Sequence, residues 1–166
     1  MNIQEWHAQN SYRDFKIGDY VRISPDLTAG MEYHDVFITN EMEYYRGLRT
    51  MIANIDEDGD ITLTGDGEEY YWPKEVLTLA RKEDMVLNDR LIVGDKVLIN
   101  QNLRTLDDSK LPCYIMPQMV KHQGELAIIT GVYVDDDFPE HTLYHIDRDE
   151  GEWSWPKEAF RERRWD

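Results

Sequence analysis

The chain has a single cysteine, Cys113, in 166 residues, so no disulfide can close within it. Long apolar runs are missing too, and nothing approaches the roughly 20 residues a membrane-spanning helix needs. The opening decapeptide MNIQEWHAQN lacks the basic and apolar regions of a secretory signal. These absences read as a cytosolic chain with no membrane partner, in the cytoplasm of whatever cell makes it. Positive charge is scarce as well. Eighteen Lys and Arg stand against thirty-four Asp and Glu, for a formal net charge of −16. Such a surface repels phosphate backbones, so no direct nucleic-acid binding is expected. It favours basic partners, including proteins that themselves bind nucleic acid. Keeping a small protein soluble is an equally good account of the same charge.

Catalytic signatures are also lacking. The sequence has no Gly-x-Ser-x-Gly elbow, no phosphate-binding glycine loop and no dinucleotide fingerprint. Cys113, between Pro112 and Tyr114, reads as a structural thiol. The five histidines (7, 34, 122, 141 and 145) show no zinc spacing. Asp56, Asp58 and Asp60 are spaced like the start of a calcium loop. Ile61 nevertheless stands where that loop requires glycine, and Gly67 where it requires a bidentate glutamate. A solvated turn is the expectation there. No enzyme activity, metal or cofactor is expected.

What the chain does contain is a repeat. Hydrophobic residues make up 41% of it and aromatics 11%, enough for packed cores. Phe15-Lys16-Ile17-Gly18-Asp19-Tyr20-Val21-Arg22-Ile23 is echoed by Leu91-Ile92-Val93-Gly94-Asp95-Lys96-Val97-Leu98-Ile99, 76 positions on (94 − 18). Met42 to Gly47 returns as Met119 to Gly124, 77 positions on (124 − 47). Tyr70-Tyr71-Trp72-Pro73-Lys74-Glu75 returns as Trp153-Ser154-Trp155-Pro156-Lys157-Glu158, 83 positions on (155 − 72). Three blocks in one order, with small changes of offset, mark an internal duplication. The second copy holds its extra residues between Val132 and Trp153.

Each block implies local structure. Gly-Asp followed by alternating apolar residues predicts a tight turn feeding a strand. Gly47 to Ile52 and Gly124 to Thr130 predict a further turn and strand. Asp56-Glu57-Asp58-Gly59-Asp60 predicts a turn before the strand 61–64. Trp-Pro-Lys-Glu predicts exit from the last hairpin into a short helical turn, with proline at its first position. Residues 78–88 form a polar connector, either a short helix or an extended link. The polar stretches 24–35 and 100–111 are long for so small a module, and such loops often carry binding contacts.

Taken together, the blocks Gly18-Asp19-x-Val21, Met42-x4-Gly47 and Tyr70-x-Trp72 resemble SH3-like repeats of small bacteriophage and mobile-element proteins. So do Gly94-Asp95-x-Val97, Met119-x4-Gly124 and Trp153-x-Trp155. The resemblance covers 15–77 and 91–160 and implies a mainly β fold of two tandem small SH3-like β-barrels with short helical turns. The implied organisation is an N-terminal extension 1–14, repeat one 15–78, a linker 79–90 and repeat two 91–166 with a C-terminal helical turn. Proteins of this appearance generally lack an assigned catalytic activity.

Two sets of residues are candidates for partner binding. The aromatics Tyr70, Trp72, Trp153 and Trp155 either complete the two small cores or form contact ridges, since exposed Trp and Tyr anchor interfaces. The acidic residues Asp56, Asp58 and Asp60 in copy one, and Asp135, Asp136 and Asp137 in copy two, repeat by position near each last hairpin. The leading expectation is a non-enzymatic adaptor or inhibitor that presents an acidic surface to a basic protein. With the phage-like resemblance, that suggests counter-defence, the acidic face occupying the nucleic-acid site of a host nuclease such as a CRISPR effector. The alternatives are a peptide- or protein-binding module acting through its Trp ridges, and a virion or assembly protein.

Overall fold

The computed structural model describes residues 2, 4–6, 14–85, 87–106 and 108–164. Most of the expected extension 1–14, with His7, lies outside them. The chain divides into two compact units, Met1–Arg90 and Leu91–Asp166. Both are mainly β, with short 3-10 turns between strands.

The first unit holds β1 (Tyr20–Ile23), β2 (Glu32–Tyr33), β3 (Val36–Phe37), β4 (Arg49–Ile55), β5 (Ile61–Leu63) and β6 (Leu77–Ala80). Its main sheet is antiparallel in the order β5-β4-β1-β6, and Trp72 extends it by a bridge to Ile61. The second holds β7 (Lys96–Ile99), β8 (Leu126–Tyr133), β9 (Leu143–Ile146), β10 (Trp155–Pro156) and β11 (Phe160–Arg164). Its order is β10-β9-β8-β7-β11, the same pairing with the Trp bridge grown into a short strand. Both sheets are open at their ends, so closed barrels are not formed among the described residues.

The repeated blocks acquire physical reasons. Gly18 and Gly94 sit at φ +89° and +96°, a left-handed conformation that costs glycine nothing. The aspartate that follows closes the turn: Asp19 accepts the Lys16 N–H at 2.8 Å, and Asp95 accepts the Ile92 N–H at 3.0 Å. Alternation then buries Val21 and Ile23 in one unit, Val97 and Ile99 in the other. Met42 and Met119 sit in matched 3-10 turns, and each sulfur accepts a backbone N–H three residues back, from Thr39 and Met116.

Both long central strands carry a register break at the same place, Ile52/Asn54 in β4 and Ile129/Gly131 in β8. An extra residue there bends the strand and re-phases its faces. The inner residues Ile52, Leu63 and Trp72 meet the same fate as Ile129, Ile146 and Trp155, all fully buried. Burying each large aliphatic side chain contributes about 1.5–3 kcal/mol before the entropy cost of ordering it. The pairings Ile55↔Ile61 and Val132↔Tyr144 place the extra residues of copy two in the β8–β9 loop.

Two expectations need adjustment at the module ends. The Trp-Pro-Lys-Glu blocks do lead into short helical turns, Lys74–Val76 and Lys157–Ala159, but proline stands before the first helical residue. A strand follows each turn, β6 and β11, and pairs with the first strand of its unit. The segment 79–90 is not a bare connector. It begins within β6, forms a 3-10 turn at Lys82–Asp84, then packs on its own unit. Buried Asn88 accepts the Arg49 N–H at 2.8 Å and donates to the Arg49 carbonyl at 3.0 Å, acting as a one-residue strand partner. The Arg90 guanidinium donates to the carbonyls of Tyr44 and Arg46.

One core position differs in chemistry between copies. Tyr45 packs edge-on against Trp72, with ring centres 5.8 Å apart, above buried Leu48. The matching residues in the second unit are His122, edge-on to Trp155 at 6.3 Å, and Glu125, whose carboxylate lies 3.4 Å from the His122 Nδ1. The buried His122 Nε2 has no hydrogen-bond partner. A buried imidazole with one unmet nitrogen, its other nitrogen against a part-exposed carboxylate, is less favourable than a phenol ring on an apolar neighbour. The double substitution His122→Tyr/Glu125→Leu should therefore raise the thermal midpoint of the second unit. Glu125→Leu alone should fall below the double variant, because it strips the histidine of its acceptor. Thermal melts followed by near-UV circular dichroism check both; a double variant melting lower than the parent would contradict the account.

Candidate functional site

An indole N–H that leaves water must find an acceptor, and in both units an aspartate six residues upstream supplies it. Asp66 Oδ2 accepts the Trp72 Nε1–H at 2.8 Å, and Asp149 Oδ2 accepts that of Trp155 at 2.9 Å. The same carboxylates accept backbone N–H groups two and four residues on. These are Glu68 and Tyr70 for Asp66, Gly151 and Trp153 for Asp149. Each Asp thus folds the turn that delivers its Trp into the core.

This geometry decides between the two readings of the aromatics. Trp72 and Trp155 are only 1% and 0% exposed, so as folded neither offers a surface to a partner. Their assignment as partner-binding residues is corrected: both are core residues, withdrawn by the volume of the indole and its tie to Asp. Tyr70 and Trp153, two residues earlier, are part-buried. Tyr70 packs edge-on to Trp72 at 6.3 Å. Burial, with the negative charge of Glu69, Glu41 and Asp66, pushes its phenol up to about 12.

The acidic candidates come together in two separate turns. The carboxylates of Asp56, Asp58 and Asp60 lie within 4.8 Å of one another, and so do those of Asp135, Asp136 and Asp137. The first member of each triplet organises its own loop. Asp56 Oδ1 accepts the N–H groups of Asp58 and Asp60, and Asp135 Oδ1 those of Asp137 and Phe138. Asp58, Asp136 and Asp137 are exposed. Burial, reinforced by Asp56, Asp58 and Asp35, raises the Asp60 carboxyl above the usual range.

Around the first triplet the structure assembles a cleft that the sequence indicated only in part. Residues 24–35, expected to be a binding loop, end in the β2–β3 hairpin. Its two-residue tip, His34-Asp35, holds both residues at positive φ, +46° and +70°. That backbone twist suits a tight hairpin, though neither residue is glycine. The tip stands over the 56–60 turn and the 69–75 segment. One recess of about 710 Å³ lies on the side of Tyr33, Asp60, Trp72 and Glu75. Another of about 620 Å³ lies on the side of Phe37, Asp58, Glu69 and Tyr71. The two share His34, Val36, Asp58 and Asp60. His34 Nε2 stands 3.1 Å from a Glu75 carboxylate oxygen, tying the hairpin to the 3-10 turn.

Phe37 and Tyr71, 58% and 54% exposed, are the aromatic surfaces here, and sequence reasoning did not single them out as contacts. The available signal was Tyr33-His34-Asp35-Val36-Phe37, a polar pair flanked by β-forming residues, which is a hairpin pattern. No protein-family model matches the chain, and no curated protein sequence resembles it significantly.

The Asp66–Trp72 tie carries a pH signature. Burial pushes the Asp66 carboxyl up to about 6, against the opposing pull of the N–H groups of Trp72, Tyr70 and Glu68. In the unfolded chain an aspartate titrates near about 3.9. Between these values the folded chain holds the proton more tightly than the unfolded one. Stability of the first unit should therefore fall as pH rises from about 4 to about 6, by roughly 3 kcal/mol, then level off. Asp66→Asn should lose that slope while lowering stability overall. Urea unfolding of both proteins across the pH series measures it; equal slopes would disprove the assignment.

Proposed function

We propose that the chain is a pair of SH3-like modules serving as a non-enzymatic acidic binding protein, which docks on the basic surface of a partner protein. The single observation that carries this reading is the pair of exposed acidic turns at matching places, after β4 and after β8. Each turn is organised by its first aspartate, so Asp58, Asp136 and Asp137 are exposed on a prepared loop and lose little freedom on binding. The strand order, repeated in both units with a 3-10 turn before the last strand, supports the SH3-like assignment. Net charge of −16 adds steering toward a basic partner and selects against nucleic acid.

The narrower form of the proposal is phage counter-defence, in which the acidic face occupies the nucleic-acid site of a host nuclease such as a CRISPR effector. The reading through Trp ridges is set aside, because Trp72 and Trp155 are core residues.

Binding to a basic nuclease should weaken as salt is raised from about 0.05 to about 0.5 M and should be competed by DNA. Converting Asp58, Asp60, Asp136 and Asp137 to Asn should cost about tenfold or more in affinity, measured by calorimetry at low salt. Unchanged affinity in that variant would make the charge incidental and end the proposal. Failure to inhibit any of several candidate nucleases would end the counter-defence form alone.

A further inference from the structure

The recess of about 620 Å³ in the first unit combines two features that the acidic turns alone do not offer. Its walls carry three aromatic rings, Phe37, Tyr70 and Tyr71, and four carboxylates, Asp35, Asp58, Asp60 and Glu69. Among the described residues no lysine or arginine lines it; His34 is the one basic type at its rim, and that ring faces Glu75. The second unit has the matching acidic turn, Asp135–Asp137, but its β8–β9 loop is longer, and the β2–β3 hairpin has no stranded counterpart there among the described residues.

We infer that this recess is a pocket for an arginine side chain presented by the partner. The inference rests on the acidic-binding reading above and gives it a location and a ligand. Aromatic faces attract a cation through their ring quadrupole, and carboxylates at the mouth accept its N–H groups. A guanidinium satisfies both demands at once, being planar, weakly hydrated and able to stack while donating in pairs to carboxylates. An ammonium is a strongly hydrated point charge and gains less from the rings. The volume exceeds what one side chain fills, leaving room for the neighbouring backbone of an extended segment. The Asp60 carboxyl is raised first by burial and then by the charges of Asp56, Asp58 and Asp35, and a cation entering the recess relieves that second, repulsive part.

The test titrates the full chain, labelled with ¹⁵N, with three nonapeptides: oligo-arginine, oligo-lysine and the neutral oligo-citrulline. Oligo-arginine should move the amide signals of Phe37, Asp58, Glu69 and Tyr71 and bind about fivefold or more tighter than oligo-lysine. Citrulline should not bind. Tyr71→Ala, at an exposed position, should lower the oligo-arginine affinity about fivefold. Asp135→Asn/Asp136→Asn/Asp137→Asn should leave the recess signals responding as before. Equal binding of arginine and lysine peptides, or shifts confined to the Asp135–Asp137 turn, would overturn the pocket while leaving the acidic-binding reading intact. Shifts in the same recess amides produced by Ca²⁺ alone would reassign it to a metal. No binding of either basic peptide, together with no salt-sensitive binding to a basic protein, would remove both proposals.

Discussion

Each unit closes around a tryptophan whose single polar atom has to be satisfied away from water. Asp66 and Asp149 do this from six residues upstream, and the same carboxylates gather two backbone N–H groups of the intervening turn. The arrangement sets the register of everything after it. With the indole held, the next residue is a buried proline, then a 3-10 turn, then a strand that returns beside the first strand of the unit. Without the carboxylate, three N–H groups would lose their acceptor, at about 1–3 kcal/mol for each one left buried. The tie has its own cost in the first unit, where burial works against the charged form and pushes the carboxyl up to about 6.

Acidity in this chain is therefore of two kinds. Asp19, Asp95, Asp66, Asp149, Asp56 and Asp135 accept backbone N–H groups and hold turns in place. In the second unit Asp147 accepts the Ile128 N–H, and its neighbour Arg148 donates to the Leu126 carbonyl, covering backbone of β8 that β9 does not pair. Asp58, Asp136, Asp137 and Glu69 face solvent and bear on recognition. Charge counting treats these groups alike; only the second kind is free to meet a partner. The two copies differ most in what surrounds the outward carboxylates. A strained hairpin tip and aromatic rings stand there in the first unit, a longer loop in the second.

Much of the scaffold could be read directly from residue order. Gly-Asp, Met-x4-Gly and Trp-Pro-Lys-Glu each mark a local constraint, namely a left-handed turn, a buried methionine within a 3-10 turn, and a hairpin exit. Local constraints leave traces at fixed spacing, which is why the duplication and the mainly β character were legible. The final strands β6 and β11 were not anticipated, because Leu77–Ala80 and Phe160–Arg164 are short and find their place only by pairing with strands more than fifty residues earlier. Asn88 escaped notice for the same reason: its partner is Arg49, and no sequence spacing links them.

The site divides along that line. Sequence alone determined where negative charge repeats, and that Trp72 and Trp155 occupy matching positions. Whether those indoles were ridge or core was a matter of burial, which depends on the sheet packed over them, and the fold put them inside. Tertiary structure also decided that Phe37 and Tyr71 share a recess with Asp58 and Glu69. These residues come from three separate stretches of chain, and a pocket is a property of distances that no single stretch encodes. The composition sets the sign of the charge the protein offers, and the fold decides which carboxylates are left to offer it.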